Sequence, residues 1–201
     1  MRGAMVQGAK HLSWASEGAC VRFDLVEELC RLVRVRSEVT VAEDGRILRS
    51  NYDEAVKAVV QLAEKGGLEA EVVELEAVGG RVPAVLVEGP GAGPSLALVS
   101  HYDVVPARGP WRLGGVEYDP YDPRVVDGRV YGRGAADDKS AIVASLAALA
   151  ELAEEGGPLR YKPSVVVTGD EEVGGLGVRA LLDAGYRWDR AIILDAGAEY
   201  V

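Results

Sequence analysis

Histidine is scarce in this chain of 201 residues, which contains only His11 and His101. Cysteine is equally rare, and we expect Cys20 and Cys30 to be reduced thiols rather than a disulfide. The first twenty residues lack the continuous apolar segment of a secretory signal, and the most apolar stretch, residues 141–150, is too short to span a bilayer. These absences predict a cytoplasmic protein that does not enter membranes.

Basic residues are also few relative to acidic ones. Lysine and arginine total 22 residues against 32 acidic ones, which gives a formal net charge of −10. Such a balance argues against nucleic acid or an anionic membrane surface as a partner. The length suffices to bury a core in one domain. Residues 1–20 show no hydrophobic period, so we expect a flexible extension there and the folded domain over residues 21–201.

Hydrophobic periodicity then alternates between the helical and the extended type. The predicted helices cover residues 24–35, 53–65, 139–155 and 175–184, and the predicted strands cover residues 70–75, 84–87, 96–99, 164–168 and 191–194. Residues 125–130 predict a hairpin closed by Asp127-Gly128. Strands that alternate with helices predict an α/β fold, here a three-layer sandwich with a mostly parallel mixed sheet.

Three of the apolar segments are followed closely by side chains that can bind metals. The segments and the side chains after them are residues 95–100 with His101, residues 164–168 with Glu171 and Glu172, and residues 191–194 with Asp195. In an open α/β sheet, ligands bind outside the carboxyl ends of the strands. A further carboxylate, Asp137, lies in a glycine-rich loop before a helix. One histidine and four acids predict a site for Zn²⁺ or a similar divalent ion.

His101 and Asp103 are two residues apart in chain predicted to be extended, which places both side chains on the same side. Asp103 would then accept the N–H of the ring nitrogen that does not bind metal and fix the tautomer. A lone histidine at a strand end is more often a satisfied core residue. The other acids at strand and loop ends favour the metal-ligand interpretation of His101.

Asp137 has two possible roles. It could be an acid favoured by the dipole at a helix N-terminus, or a carboxylate that bridges two ions. The same stretch resembles a phosphate-binding loop at Lys139 and Ser140, but Arg133 and Asp138 occupy positions where that motif requires glycine. A nucleotide-binding α/β domain is therefore not favoured.

Glu171 and Glu172 are adjacent, and in extended chain their side chains would diverge. One could bind a metal while its neighbour faces an attacking water as general base. The alternative for this pair is an acidic turn before a helix. Asp195 could likewise only cap a following element, although its place at the end of a strand favours a ligand role.

Three ordered motifs carry a family resemblance that covers roughly residues 23–195. They are His101-x-Asp103-x-Val-Pro106, Gly132-Arg-Gly-Ala-Ala-Asp137-Asp-Lys139 and Asp170-Glu-Glu-Val-Gly174. Together they resemble the M20 family of metallopeptidases and deacylases. The resemblance implies a zinc-peptidase-like fold and a hydrolase of amide bonds in N-acyl amino acids or short peptides.

The resemblance also implies a role for each site residue and a pair of zinc ions, with Co²⁺ or Mn²⁺ as substitutes. It places His101 and Asp195 on one ion, Glu172 on the other, and Asp137 between them. Asp103 would support His101, and Glu171 would be the base that deprotonates the attacking water. It further implies a cis peptide bond between Asp137 and Asp138.

Members of the family continue into a lid domain, through which they dimerise, and then supply a second metal-binding histidine. We therefore expect residues 21–201 to be a partial catalytic domain, incomplete at its C-terminus and with an apolar sheet edge or face that needs cover. The alternative function is a catalytically inactive metal-binding fragment that needs a separate C-terminal polypeptide.

Overall fold

The computed structural model describes residues 23–195. The predicted extension over residues 1–20 lies outside the described residues, as does Cys20. The helices are α1 (Leu25–Val33), α2 (Tyr52–Lys65), α3 (Ser140–Glu155) and α4 (Leu176–Asp183). The strands are β1 (Val39–Val41), β2 (Ile47–Arg49), β3 (Ala70–Ala77), β4 (Gly80–Glu88), β5 (Ser95–His101), β6 (Trp111–Leu113), β7 (Val116–Tyr118), β8 (Arg124–Val126), β9 (Arg129–Tyr131), β10 (Lys162–Thr168) and β11 (Arg190–Ile193).

Five strands form the main sheet in the order β11-β5-β10-β4-β3. The strands β11, β5 and β10 are parallel, whereas β4 is antiparallel to both β10 and β3. The sheet is therefore mixed, with its parallel half next to its antiparallel half. The other strands form three separate two-stranded hairpins, β1-β2, β6-β7 and β8-β9.

The central strand β10 is buried on both faces, as expected inside an α/β sandwich. On β10, Val165 and Val167 pack into a cluster with residues of α1, α2 and α3, whereas Val166 packs against Ala180 and Leu181 of α4. This alternation follows from the two-residue period of a strand. The result is three layers, which confirms the predicted fold class.

Local signals in the sequence place the ends of several elements. The Asp24 carboxylate accepts hydrogen bonds from the N–H groups of Val26 and Glu27, so it caps α1 as its spacing suggests. Asp127 and Gly128 both adopt positive φ, 49° and 74°, between β8 and β9, as a tight hairpin turn requires. The predicted hairpin is therefore confirmed.

Strand β4 is longer than the predicted strand over residues 84–87. It extends back to Gly80 because β3 pairs with it along its length, from Ala77 opposite Gly80 to Ala70 opposite Val87. Polar residues and Pro83 interrupt the apolar pattern in this part, so periodicity alone does not reveal it. The hairpins β1-β2 and β6-β7 are likewise unpredicted by the sequence pattern.

The edge strand β11 differs from the strands beside it because all four of its residues are exposed. Ile192 and Ile193 leave 49% and 61% of their surface accessible, which agrees with the expected apolar edge. The thiol of Cys30 is buried and free. Within residues 23–195, every helix is too short or too polar to cross a lipid bilayer.

Candidate metal centre

The predicted site lies where the parallel strands end. On β10, Thr168 is opposite His101 on β5, so the segment with Glu171 and Glu172 leaves the sheet next to the histidine. On the other side, the N–H of Leu194 donates to the carbonyl of Val99, which brings Asp195 to the same edge. The pairing register therefore brings the ends of β5, β10 and β11 to the same edge of the sheet. This is the edge at which α/β sheets bind their ligands.

The ring of His101 is buried and held in one orientation. Its Nδ1 lies 3.0 Å from the carbonyl oxygen of Asp103 and 3.4 Å from Oδ1 of the same residue. A carbonyl oxygen only accepts hydrogen bonds, so Nδ1 carries a hydrogen. In the neutral ring, Nε2 then presents its lone pair towards the acidic side chains. The sequence prediction that His101 and Asp103 face the same side is confirmed.

Three of the predicted ligands come together around Nε2 of His101. This atom lies 3.1 Å from Oδ1 of Asp137 and 4.0 Å from Oδ2 of Asp195. Ligand atoms of the three residues all lie within 4.8 Å of one another. Imidazole nitrogen and carboxylate oxygen are ligands that Zn²⁺ accepts, so this donor set fits a divalent ion. Glu172 lies outside this group of three.

Asp103 connects the histidine to the segment with the two glutamates. Its side chain is fully buried. Its Oδ1 accepts the N–H of Glu171 and its Oδ2 accepts the N–H of Glu172, both at 3.2 Å. One carboxylate thus fixes the backbone of both glutamates while it faces the ring of His101.

Glu171 and Glu172 lie in a turn rather than in extended chain. The carbonyl of Glu171 accepts the N–H groups of Gly174 and Gly175, which closes the turn before α4. Even so, the side chains separate. Oε2 of Glu171 approaches to 4.0 Å from Nε2 of His101, whereas Glu172 lines a neighbouring cavity.

The loop before α3 presents Asp137 through an irregular backbone. The Asp137–Asp138 peptide bond is cis, which confirms that prediction. Asp137 keeps an exposed side chain at the site, whereas Asp138 is buried and its Oδ2 accepts the backbone N–H of His101 at 3.2 Å. Burial raises the pKa of Asp138 to about 7. Sequence reasoning missed this supporting role of Asp138.

Crowded carboxylates shift the pKa values of the site. Burial raises the pKa of Glu171 and of Glu172, and neighbouring negative charges raise both further. Burial by itself would lower the pKa of His101, but the hydrogen bond to Asp103 and the surrounding carboxylates outweigh it and raise the pKa to about 9. The site therefore favours added positive charge, which a divalent cation would supply.

A second buried acid, Asp170, anchors the glutamate segment from behind. Arg49 on β2 donates to both of its carboxylate oxygens, with Nε at 3.0 and 3.1 Å, and Tyr52 donates its hydroxyl to Oδ1 at 2.8 Å. Arg49 also donates to the carbonyls of Val78 and Gly79. No local signal in the sequence identifies Arg49 or Tyr52, because their partner is more than a hundred residues away.

Lys139, which is part of the glycine-rich motif, does not face the site. Its buried ammonium group donates to the carbonyls of Leu32 at 3.0 Å and Val35 at 2.7 Å, at the end of α1. Each of these carbonyls also accepts a backbone N–H, that of Val35 for Leu32 and that of Ser37 for Val35. Burial lowers the pKa of Lys139 to about 7. This inward position is unlike that of a phosphate-binding lysine, in agreement with the rejection of a nucleotide site.

Comparisons with known proteins agree with this geometry. Residues 97–199 match the family described as Peptidase family M20/M25/M40. The chain is 39% identical over 108 residues to a succinyl-diaminopimelate desuccinylase from Rhodospirillum centenum, an alignment that covers 50% of this chain and 27% of that protein. It is 37% identical over 165 residues to a cysteinylglycine-S-conjugate dipeptidase from Corynebacterium striatum, covering 80% and 33%.

The fold is similar to that of a solved dipeptidase. Human carnosine dipeptidase 1 superimposes with a TM-score of 0.65 at 21% sequence identity, over 87% of this chain and 39% of that one. The chain spans about a third of the length of the curated relatives that it matches.

Proposed function

Because this chain belongs to peptidase family M20/M25/M40, we propose that it forms the metal-binding part of an amidohydrolase. The substrates would be N-acyl amino acids or short peptides, in line with the deacylase and dipeptidase names of its relatives. The observation that carries the proposal is the convergence of Nε2 of His101 with the carboxylates of Asp137 and Asp195 at one sheet edge.

In this proposal His101, Asp137 and Asp195 would hold a zinc ion, and Asp137 and Glu172 would contribute ligands to a second ion. Bound zinc would polarise the scissile carbonyl and lower the pKa of a water molecule. Asp103 keeps the hydrogen of His101 on Nδ1, and Asp138 holds the backbone of His101. The metal-facing nitrogen is thereby oriented before any ion binds.

Glu171 would move the proton. Its carboxylate takes a proton from the attacking water and passes it to the leaving nitrogen when the amide bond breaks. Oε2 of Glu171 is 4.0 Å from Nε2 of His101, and its side chain is 43% exposed, so both water and substrate can reach it. The raised pKa of Glu171, caused first by burial, suits a group that must both accept and release a proton.

Other parts of the proposal concern the whole protein. Zinc is the proposed metal, with Co²⁺ or Mn²⁺ as substitutes, and the cytoplasm is the proposed compartment. A lid region outside residues 1–201 would mediate dimerisation and complete the second metal position. The position of Glu172 outside the three-residue group favours one alternative, a metal-binding module that acts only with a separate C-terminal polypeptide.

The test combines zinc binding with hydrolysis by residues 1–201. We expect about one tightly bound zinc per chain, lost in His101→Ala and retained in Glu171→Gln and in the exposed control Glu117→Gln. A panel of N-acyl amino acids and dipeptides then distinguishes the two functions. Turnover that Glu171→Gln abolishes without loss of zinc indicates an enzyme, and zinc binding without turnover indicates the module. A folded chain that binds no zinc contradicts both.

A further inference from the structure

A cavity of about 530 Å³ lies beside the candidate metal centre and is lined by elements from different sheets. One part of its lining is Glu172 and Val173, in the turn that follows β10. Another part is the whole of β1, Val39–Val41, which belongs to the separate β1-β2 hairpin. Trp111 and Arg133 also line it. Strand pairing in the main sheet therefore does not fix the position of the glutamate turn relative to β1.

Arg49 connects these two parts of the lining. It is the last residue of β2 and lies opposite Val39 of β1 in the antiparallel pairing. Its Nε lies 3.0 and 3.1 Å from the two carboxylate oxygens of Asp170, and its Nη2 also donates to Oδ2. Asp170 directly precedes Glu171. One side chain thus bridges the β1-β2 hairpin and the turn that carries both glutamates.

The same guanidinium also contacts the turn between β3 and β4. Nη1 donates to the carbonyl of Gly79 and Nη2 donates to the carbonyl of Val78, both at 2.8 Å. All three nitrogens of Arg49 therefore donate hydrogen bonds, and the planar group fixes their directions as well as their distances. Because β3 and β4 belong to the main sheet, Arg49 refers the hairpin and the glutamate turn to that sheet.

Asp170 is constrained in both its side chain and its backbone. The side chain is fully buried, and Oδ1 accepts the hydroxyl of Tyr52 at 2.8 Å. Its φ is 62°, a value that aspartate tolerates better than most residues, and its carbonyl accepts the N–H of Leu176 at the start of α4. A displacement of the Asp170 carboxylate would therefore be passed to Glu171, the next residue.

Stability alone does not require a buried ion pair at this place. Removing a guanidinium and a carboxylate from water costs free energy that their attraction often only balances, and apolar pairs of similar volume can be as stable. Within residues 23–195, the arginines of the other arginine–carboxylate pairs have side chains at least 44% exposed, against 12% for Arg49. An apolar pair would lack the directional hydrogen bonds of this one.

We propose that Arg49 is a positioning residue for the two glutamates, whose turn it holds at a fixed place relative to β1 and the main sheet. It acts through Asp170, while Asp103 holds the same turn from the side of the histidine. In the proposed function Glu171 moves the proton and Glu172 binds a metal, so the inference rests on that function for its chemical consequence. Misplacing a catalytic group by about 1 Å can lower a rate about 100-fold.

The test measures the orientation of the turn in zinc-free protein of residues 1–201, by residual dipolar couplings of the backbone N–H groups. Arg49→Lys keeps the positive charge but replaces the planar fork with a single ammonium group. We expect the couplings of Glu171, Glu172 and β1 to shift, whereas those of β5 and β10 stay as in wild type. The couplings report the folded molecules, so a loss of stability by itself does not change them.

Asp170→Asn is a second variant with the same expected shift. Asparagine has the same shape and tolerates a positive φ, but its neutral amide offers one acceptor oxygen in place of two. The double variant with Arg49→Lys should shift the couplings no further than the larger single change, because both substitutions disrupt one interaction. The matched control is Arg81→Lys, at an exposed arginine that pairs with Glu74 and Asp53, and it should leave these couplings unchanged.

Unchanged couplings of the turn in the folded variants would overturn the proposal. An equal shift in Arg81→Lys, or unfolding of both Arg49→Lys and Asp170→Asn, would do the same, since the pair would then have no specific role at the turn. The proposed function is tested separately, because these measurements use zinc-free protein. A chain that binds zinc but shows no shift refutes only the positioning role, and one that shows the shift but binds no zinc refutes only the metal centre.

Discussion

The centre and the edge of the main sheet both supply a candidate metal ligand, but they hold it in different ways. His101 ends β5, a strand with a neighbour on each side, and its ring and backbone contact Asp103 and Asp138 in the interior. Asp195 follows β11, whose residues are all exposed and which pairs only with β5 in the described sheet. Buried contacts therefore fix the orientation of His101, whereas Asp195 is positioned by the backbone hydrogen bonds between β11 and β5 alone.

This difference distinguishes the ability of a side chain to bind a metal from its orientation before the metal binds. A sequence motif does not tell these two properties apart. The residue type at a strand end determines whether it can bind a metal. The packing around that strand determines how much of the orientation exists before the metal arrives. Substitutions at the centre should therefore affect stability and metal affinity strongly, whereas substitutions at the edge, other than at the ligand Asp195 itself, should affect both weakly.

The largest effect should come from Arg49, which supports the central region through Asp170. Arg49→Ala leaves a fully buried carboxylate without its cationic partner, and we expect a loss of about 3 kcal/mol in the free energy of unfolding. The matched control is Arg179→Ala, which removes an exposed pair with Asp183 on α4 and should cost less than about 1 kcal/mol. Urea denaturation of both variants measures the contrast, and similar losses would contradict it.

Asp103 should affect metal affinity without contacting the metal. Asp103→Asn weakens the support of the His101 ring and of the backbone at Glu171, so we expect zinc affinity to fall by about 10- to 100-fold. Competition with a chromophoric chelator measures the affinity. Asp44→Asn, which removes an exposed carboxylate near the β1-β2 turn, should leave it unchanged. An unchanged affinity in Asp103→Asn would show that the ring needs no such support.

The contrast should also appear in apolar side chains. Val165→Ala in the centre of β10 opens a cavity in the core, and we expect a loss of about 2 kcal/mol in the free energy of unfolding. Ile193→Ala removes a larger side chain, but that side chain is already 61% exposed, so we expect a loss below about 1 kcal/mol. A larger loss in the free energy of unfolding for Ile193→Ala than for Val165→Ala would contradict the view that the centre of the sheet contributes more to stability than its edge.

The sequence predicts the convergence at the strand ends because that convergence follows from parallel pairing. His101, Asp137 and Asp195 come together as expected, and the side chain of Glu171 reaches the same histidine. Each of these residues has a local signal, either an apolar segment that ends or a glycine-rich loop. The fold class is predictable for the same reason, since the alternation of helices and strands is a local pattern.

The supporting residues are not predictable in this way. Arg49 reaches Asp170 across 121 positions of sequence, and Lys139 reaches the end of α1 across more than a hundred. No periodic pattern and no motif in the sequence predicts either contact. The cavity near Arg133 likewise depends on how the β1-β2 and β6-β7 hairpins are placed, and the sequence pattern predicts neither hairpin. Burial of β5 and exposure of β11 also depend on strand order rather than on composition.

The smallest effect should come from the start of the edge strand, where Asp189 holds β11 to β5. One oxygen of its carboxylate accepts the backbone N–H and the hydroxyl of Ser95, both at 2.8 Å, and these hydrogen bonds lower the pKa of Asp189. Because the folded-state pKa of Asp189 lies below its ordinary value of 3.8, the stabilisation is present above about pH 4 and is lost as the pH falls through the folded-state pKa.

Asp189→Asn should therefore lower the denaturation midpoint slightly at pH 7, by less than the other substitutions. The difference in midpoint between the variant and wild type should become smaller below about pH 4. Midpoints measured from pH 7 to pH 3 test this expectation. Asp183→Asn removes the same charge from an exposed position on α4 and serves as the control for the change in net charge. A gap that stays constant with pH would mean that the charge of Asp189 does not stabilise the start of the edge strand. Strand β11 would then be held to β5 by its backbone hydrogen bonds alone, and the difference between the edge and the buried centre of the sheet would be larger.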